Sequence, residues 1–218
     1  MTDFATARRN MIDGQLRPNR VNVPAVLNAF ADVPRERFLN RSLQGHAYVD
    51  EDLAIGNGRY LEEPVIFARL LQACATGPDD TVLDVGCATG YSTAVIARVA
   101  GAVVGIDADA GFIEKANAAL LALSIDNAVC FANDPTMGWP KQAPYDVIII
   151  HGAVAILPDG LKRQLAEGGR LAAVVRDDND VGRVTLMQKI GGVLSSRVLF
   201  DAHCPMLPGF ERPTEFVF

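Results

Sequence analysis

Two acidic residues and two glycines, spaced along one stretch of the chain, form the pattern with the most chemical content in this sequence. Asp84 lies near the end of a short apolar run, Gly86 and Gly90 follow it, and Asp107 ends the next apolar run. Glycines let the backbone turn sharply and bring its amides close to a ligand, where a Cβ would clash. The spacing predicts a strand, a glycine turn, a helix and a second strand, with an acceptor side chain at the tip of each strand.

This arrangement predicts a site for an adenosine-containing ligand, because an acid at the tip of the second strand can accept both hydroxyls of a ribose. The dinucleotide fingerprint Gly-x-Gly-x-x-Gly is incomplete, since Ala88 occupies the middle position and no third glycine follows. A pyrophosphate needs that closer backbone approach, whereas the sulfonium of S-adenosylmethionine (SAM) does not. We therefore expect SAM rather than NAD as the cofactor. The alternative is a glycine turn that only connects a strand to a helix.

The elements around the glycine turn predict an α/β fold. Apolar runs alternate with helical segments, which is typical of a parallel sheet with helices on both faces. These runs are residues 81–85, 102–106, 128–132, 145–150 and 170–175. Two further strand-like runs, 184–190 and 193–200, flank Gly191-Gly192 and predict an antiparallel hairpin. We expect a mainly parallel, seven-stranded, Rossmann-like methyltransferase fold, because a dinucleotide fold would continue with parallel crossovers.

The amino-terminal part of the chain reads as helical. Helices are predicted at 3–16 and 24–30, and a turn leads into a short third helix at 33–39. These segments cannot complete a parallel sheet, so we expect them to form a cap beside it. The predicted organisation is an amino-terminal helical extension with a substrate loop at residues 1–78, packed on a cofactor-binding core at residues 79–218.

The composition argues against several classes of function. The chain has 218 residues, of which 50% are hydrophobic, and a net charge of −6, which predicts one ordinary folded unit without a broad nucleic-acid surface. No stretch is long and apolar enough to span a bilayer, and the amino terminus carries no secretory pattern. The four cysteines form no C-x-x-C pair. They predict reduced thiols in a cytoplasmic protein and no metal site.

Beyond the glycine turn, several segments resemble the protein-L-isoaspartate O-methyltransferase family. Residues 33–38 resemble its Val-Pro-Arg-Glu-x-Phe segment, and residues 47–58 resemble its following Gly-containing loop. Residues 143–146 and 164–171 resemble the family's fourth and fifth strand segments. Together these segments cover about residues 8–175 in the family's order, which is far more specific than the glycine turn alone.

The resemblance implies a SAM-dependent enzyme that methylates a carboxylate of isoaspartyl residues in damaged proteins. It implies that Asp84 and the backbone from Gly86 to Gly90 hold the amino acid end of SAM, and that Asp107 takes the ribose hydroxyls. Asp134 would accept from the adenine amino group, although the family's Gly-Asp-Gly turn reads Asn-Asp-Pro at residues 133–135. The expected cofactor-binding residues are Leu61, Asp84, Gly86, Ala88, Gly90, Asp107 and Asp134.

One segment departs from the family. The family reads Thr-Ile-Ser-x-Pro where this chain reads Tyr-Leu-Glu-Glu-Pro at residues 60–64, so Glu62 stands where a serine lies at the methyl-accepting carboxylate. A second carboxylate about 4 Å from the acceptor would oppose binding by about 1–4 kcal/mol, and Arg59 could offset this by pairing with either carboxylate. We expect Arg59, Tyr60 and Glu62 on the acceptor side. The alternative for Glu62 is an acid at a helix start that never meets substrate.

The residues leave other functions open. The chain could methylate a different, small acceptor, with Glu62 orienting an amine or hydroxyl, or it could bind SAM without transferring a methyl group. Nucleic-acid methylation would favour an Asn-Pro-Pro-Tyr turn after the fourth strand, where this chain has His-Gly-Ala at 151–153. We interpret the lone His151 as structural. The expected partners are SAM and an isoaspartyl protein or peptide, or an unidentified small acceptor, with no nucleic acid and no membrane.

Overall fold

The computed structural model describes residues 3–176 and 181–212. Its α-helices are α1 (Phe4–Met11), α2 (Pro24–Asp32), α3 (Pro64–Ala73), α4 (Tyr91–Ile96), α5 (Ala110–Ala122) and α6 (Asp159–Arg163). Its strands are β1 (Leu53–Gly56), β2 (Arg59–Leu61), β3 (Thr81–Val85), β4 (Ala102–Asp107), β5 (Ala128–Ala132), β6 (Tyr145–Val154), β7 (Leu165–Arg176), β8 (Gly182–Ile190) and β9 (Val193–Asp201). A π-helical turn, Ile12–Leu16, continues α1.

Seven of the strands form one sheet in the order β5-β4-β3-β6-β7-β8-β9. Strands β3 to β7 are parallel, and β8 and β9 add to β7 as an antiparallel hairpin. The prediction of a mainly parallel, seven-stranded sheet with an antiparallel hairpin is therefore confirmed. The chain order reverses beside β3, which lies between β4 and β6, and ligands of open α/β sheets bind in the crevice at such a point. Asp84 and Asp107 lie at the carboxyl ends of these central strands.

Two predicted boundaries are wrong. The fourth parallel strand was expected to end at residue 150, but β6 continues to Val154, so His151 lies inside a strand and not after it. The sequence also predicts a helix at 160–166 that is capped by Gly168-Gly169, but α6 ends at Arg163 and the glycine pair lies within β7. The helix ends there because the next residues pair with β6: the Gln164 carbonyl accepts from the Tyr145 amide at 2.8 Å, and Leu165 lies opposite Tyr145.

The amino-terminal helix α2 packs on α3 and α4 through aromatic side chains. The ring centroids of Phe30 on α2 and Phe67 on α3 are 5.1 Å apart, and Tyr91, the first residue of α4, lies 6.3 and 6.1 Å from them. Buried side chains from both sides of residue 78 belong to one hydrophobic cluster. The segment at residues 47–64 is rich in Gly and Asp and lacks helical periodicity, which predicts a loop or ribbon, and it contains the hairpin β1–β2. Within the described residues, no helix has the length and hydropathy needed to cross a membrane.

Candidate active site

The glycine turn after β3 has the geometry that its sequence predicts. Gly86, Ala88 and Gly90 all have positive φ angles, of 78°, 48° and 89°. A Cβ at Gly90 would lie 2.7 Å from the Cβ of Ala116, so only glycine fits between this turn and α5. Ala88 adopts the left-handed conformation with a side chain present, which costs about 1–2 kcal/mol. The turn is therefore held in a strained shape against the ends of β3 and β4.

The Asp107 carboxylate is buried at the tip of β4 and accepts three hydrogen bonds from the protein. Its Oδ2 accepts from the backbone amide of Ala88 at 3.0 Å and from Nε of Arg59 at 3.1 Å, and its Oδ1 accepts from the Asp109 amide at 3.2 Å. Nη2 of Arg59 also donates to the Gly86 carbonyl at 2.6 Å. One guanidinium therefore joins the two groups that were expected to hold the ribose and the amino acid end of the cofactor.

This position of Arg59 differs from the expectation that it would pair with Glu62 or with substrate. The reason is the alternation of side chains along β2, in which Arg59 and Leu61 face inward while Tyr60 faces out. Arg59 is 7% exposed and Tyr60 is 38% exposed. Arg59 thus reaches the glycine turn and the tip of β4, and Tyr60 is the most exposed side chain of β2.

A buried histidine bridges two carboxylates at the same end of the sheet. Nδ1 of His151 lies 2.9 Å from Oε2 of Glu62, and Nε2 lies 3.0 Å from Oδ1 of Asp84. The other oxygen of Asp84 accepts from the hydroxyls of Ser92, at 2.8 Å, and Thr93, at 2.6 Å, at the start of α4. Sequence reasoning treated these three charged residues separately, because residues 62, 84 and 151 are far apart in the chain.

The charge on His151 follows from this arrangement. Burial alone would lower its pKa, but the neighbouring carboxylates of Asp84 and Glu62 outweigh burial and raise the pKa to about 9. The imidazole is therefore protonated at neutral pH. The ring of Phe67 packs edge-on against it, with centroids 4.8 Å apart. Cys204 places its Sγ 3.6 Å from Oε1 of Glu62, and burial raises the pKa of this thiol, so it stays protonated.

Arg35 is a buried residue of the site that sequence reasoning did not single out, although it lies in a segment that carries the resemblance. It is 0% exposed and donates to the carbonyls of Ala47 and Glu62, at 2.7 Å each. Its guanidinium carbon lies 4.8 Å from the centroid of the Tyr91 ring. Arg35 thus fixes the backbone at Glu62 relative to the start of α4.

Two acids beside Glu62 have raised pKa values. Burial is the main cause for both, and it raises the pKa of Asp52 to about 6 and that of Glu63 to about 7. Nearby acids add to the shift: Glu62 for Asp52, and Asp50, Asp52 and Glu62 for Glu63. The Asp52 carboxylate accepts from the Glu63 amide at 2.9 Å. The start of α3 therefore carries less negative charge near neutral pH than its sequence suggests.

The remaining predicted residues lie around this centre. Leu61 is buried in the hydrophobic cluster. Asp134 is exposed just after β5, and its Oδ1 accepts from the amide and hydroxyl of Thr136 at 2.9 and 2.7 Å. Across residues 3–176 and 181–212, no group of three or more His, Cys, Asp or Glu residues is arranged to hold a metal ion. The four cysteines are buried free thiols.

Comparisons with known proteins agree on one family. A family model described as protein-L-isoaspartate(D-aspartate) O-methyltransferase matches residues 7–202. A protein-L-isoaspartate O-methyltransferase 1 of Rhodopseudomonas palustris is 38% identical over 188 residues, which cover 86% of this chain and 77% of that protein. The Koribacter versatilis protein-L-isoaspartate O-methyltransferase is 36% identical over 208 residues, which cover 95% and 92%.

Solved structures show the same fold. A protein-L-isoaspartate O-methyltransferase structure is similar with a TM-score of 0.81 and 26% identity, covering 93% of this chain and 66% of that one. A structure described as a putative protein-L-isoaspartate O-methyltransferase of Plasmodium falciparum, in complex with S-adenosyl-L-homocysteine, has a TM-score of 0.78. It is 20% identical and covers 95% of this chain and 99% of that one, so it supports the fold alone.

Proposed function

This chain belongs to the protein-L-isoaspartate(D-aspartate) O-methyltransferase family, and on that premise we propose that it transfers a methyl group from SAM to the carboxylate of isoaspartyl residues in damaged proteins. The observation that carries the proposal is the family match over residues 7–202 together with the strained glycine turn and the buried Asp107 at the central strand ends. A buried carboxylate beside the backbone carbonyl of a glycine turn is a suitable acceptor set for ribose hydroxyls and an ammonium group.

The residue types at the site fit SAM. Asp107 is a carboxylate at the tip of β4, where ribose hydroxyls would be accepted, and the Gly86 carbonyl offers an acceptor to a cationic group. Gly86 has no Cβ, and a Cβ there would lie 3.1 Å from the backbone oxygen of His151, so this position requires glycine. Asp134, exposed after β5, would accept from the adenine. The Arg59 side chain already donates to the Asp107 carboxylate and to the Gly86 carbonyl, so it must move before SAM can use these acceptors.

The proposed methyl transfer needs little acid–base catalysis by the protein. SAM would supply an electrophilic methyl group, and an ionised acceptor carboxylate needs only alignment for an in-line displacement. Glu62 is bonded to His151 inside the fold, so its carboxylate supports the site and does not need to act as a base. Tyr60, the exposed residue of β2, is the side chain that we propose lies beside the acceptor.

A second candidate is methyl transfer to a different acceptor. It is favoured by one observation: Glu62 replaces the serine of the family pattern, and its carboxylate is turned into the fold by His151 at 2.9 Å instead of offering a hydroxyl to substrate. The acceptor pocket then lacks that donor, and Tyr60 adds bulk beside it. Such an acceptor would be a small molecule or a different protein side chain.

Transfer of labelled methyl from SAM to a synthetic isoaspartyl peptide, with the matching aspartyl peptide as control, tests the proposal. We expect base-labile label on the isoaspartyl peptide alone, and none with Asp107→Ala, which removes the ribose acceptor. Label on neither peptide, with SAM still bound, would reject isoaspartyl repair and favour the second candidate or a SAM-binding role without transfer. Label on both peptides would reject specificity for isoaspartate.

The proposed partners are SAM and proteins or peptides that contain isoaspartyl residues, with no requirement for nucleic acid or membrane. We also propose that the protein works in the cytoplasm. The four buried free thiols support a reducing compartment, because cysteines of proteins in oxidising compartments are commonly paired.

A further inference from the structure

We propose that Arg59 is an internal occupant of the cofactor cleft, so that the adenosyl cofactor binds only when the hairpin β1–β2 withdraws this side chain. The inference rests on the proposed function, because it takes SAM or S-adenosylhomocysteine as the ligand of the cleft. It goes beyond that function by assigning Arg59 a competing role, with the hairpin as the moving element.

Arg59 donates to the same two acceptor groups that the cofactor is expected to use. Its Nε reaches Oδ2 of Asp107 at 3.1 Å while its Nη2 reaches the Gly86 carbonyl at 2.6 Å. The first of these acceptors is the expected partner of the ribose, and the second belongs to the turn expected to hold the amino acid end. A planar guanidinium can donate to both at once because its donors form a rigid fork. A ligand that needs the same acceptors cannot bind while Arg59 holds them.

The space around this side chain is closed. A Cβ built on Gly86 would lie 2.8 Å from Nη2 of Arg59 on one side and 3.0 Å from Cδ1 of Leu207 on the other. A cavity lined by Gly86 and Ala88, and another lined by Arg59, measure about 10 Å³ each. A cavity of that size holds at most one water molecule, whereas cofactor-sized pockets measure about 300–1,000 Å³. Entry of an adenosyl group therefore requires displacement of protein atoms.

The hairpin is the element that can supply this displacement. Strands β1 and β2 form a separate two-stranded sheet that is not paired with the seven-stranded sheet within the described residues. Its inward side chains Leu53, Ile55 and Leu61 pack in the hydrophobic cluster, and its polar contacts with the central strands are made by its turn and by Arg59. At the turn, the amide of Asn57 donates to the Asp109 carboxylate at 2.5 Å on the exposed surface. Leu207, by contrast, is fixed by main-chain hydrogen bonding to Ala153 on β6 at 2.8 Å. Arg59 can leave with a short hairpin, whereas Leu207 is held by the sheet.

The test is calorimetric binding of S-adenosylhomocysteine to the full chain, to Arg59→Met and to Arg59→Lys, with Arg197→Met as the control. Arg197 lies exposed on β9, so its substitution makes the same change in net charge away from the cleft. We expect Arg59→Met to bind about ten- to a hundredfold more tightly than the wild type, which corresponds to one charge-assisted contact. Arg59→Lys should fall between them, because a single ammonium cannot bridge both acceptors, and Arg197→Met should match the wild type.

A second measurement needs no variant. Hydrogen exchange of residues 53–61 in the wild-type protein should become faster when S-adenosylhomocysteine binds, since the hairpin loses the Arg59 contacts. Equal affinities for all four proteins, or binding without any change in exchange of this segment, would overturn the inference while leaving the proposed function intact. Tighter binding by Arg59→Met without methyl transfer to the isoaspartyl peptide would support the inference and reject the proposed function. An absence of binding by all four proteins would overturn both.

Discussion

Nε2 of His151 lies 3.0 Å from Oδ1 of Asp84, and both atoms are shielded from solvent. Neither atom has another hydrogen-bond partner, and their mutual contact is electrostatic and not a well-aligned hydrogen bond. The opposite nitrogen of the ring is hydrogen-bonded to Glu62. One imidazolium therefore compensates carboxylates from β3 and from the segment before α3, and it joins these two parts of the fold.

Removing the imidazole should destabilise the fold. His151→Ala leaves the Asp84 and Glu62 carboxylates facing each other without their shared cation, and breaking a buried pair in this way costs about 3–5 kcal/mol. The free energy of unfolding measured in urea at pH 7 checks this value. The matched control is His46→Ala, at an exposed histidine, which should change stability by less than about 0.5 kcal/mol. A loss for His151→Ala as small as that of the control would contradict the bridge.

Stability should fall as the pH rises from 6.5 to 9. The pKa of His151 is raised in the folded protein from its ordinary 6.5 to about 9, so its protonated form is favoured by folding. This contribution is fully present below about pH 6.5, is lost as the pH approaches 9, and amounts to at most about 3 kcal/mol. Urea unfolding across this range measures the loss, and the slope should be shallower in His151→Ala. Identical slopes in the two proteins would show that another group causes the pH dependence.

Glu63→Gln should stabilise the protein at pH 8 and have little effect at pH 4. Burial, with neighbouring acids, raises the pKa of Glu63 from 4.5 to about 7, so the folded state disfavours its charged form. The cost appears as the pH rises through this window, and after allowance for the half-exposed side chain it is about 1 kcal/mol. Thermal unfolding at both pH values measures it, with the exposed Glu51→Gln as control. A gain of equal size at pH 4 would exclude titration as its cause.

Arg35→Met should destabilise the protein and disturb the site. The substitution keeps much of the buried stem but removes the donors to the Ala47 and Glu62 carbonyls. Losing two hydrogen bonds from a charged group lowers the free energy of unfolding by about 3–6 kcal/mol. Part of this loss is offset, because the variant no longer buries a charge. Unfolding in urea gives the net loss. Exposed Arg41→Met is the control, and equal stability of the two variants would show that Arg35 does not fix this backbone.

Gly90→Ala should be far more costly than Gly14→Ala. A Cβ at Gly90 would lie 2.7 Å from Ala116 in a backbone with φ of 89°, so overpacking and the left-handed conformation together cost about 2–4 kcal/mol. Gly14 has no atom within 4 Å of an added Cβ and has no positive φ, so alanine there should stabilise by about 0.5–1 kcal/mol. Thermal unfolding of both variants measures the contrast. A tolerated alanine at residue 90 would mean that the turn can shift away from α5.

The sequence by itself determined the sheet and the place of its site. Continuous apolar runs such as residues 147–150, alternating with helical segments, are typical of strands buried on both faces of a parallel sheet, and the glycines after residue 84 favour a tight turn before a helix. These are local properties, because propensity, period and turn chemistry depend on neighbours in the chain. They were enough to place Asp84 and Asp107 at adjacent strand ends.

Only the tertiary structure decided which charged groups meet. Arg59 and Asp107 are 48 residues apart, Glu62 and His151 are 89 apart, and Cys204 reaches Glu62 across 142 residues. No local pattern encodes such contacts, since they depend on how the hairpin β1–β2 and the end of β6 are packed against the glycine turn. The end of β6 at residue 154 also depends on tertiary contacts. Ala153 pairs with Val174 and with Pro205, and this pairing extends the strand past its apolar run.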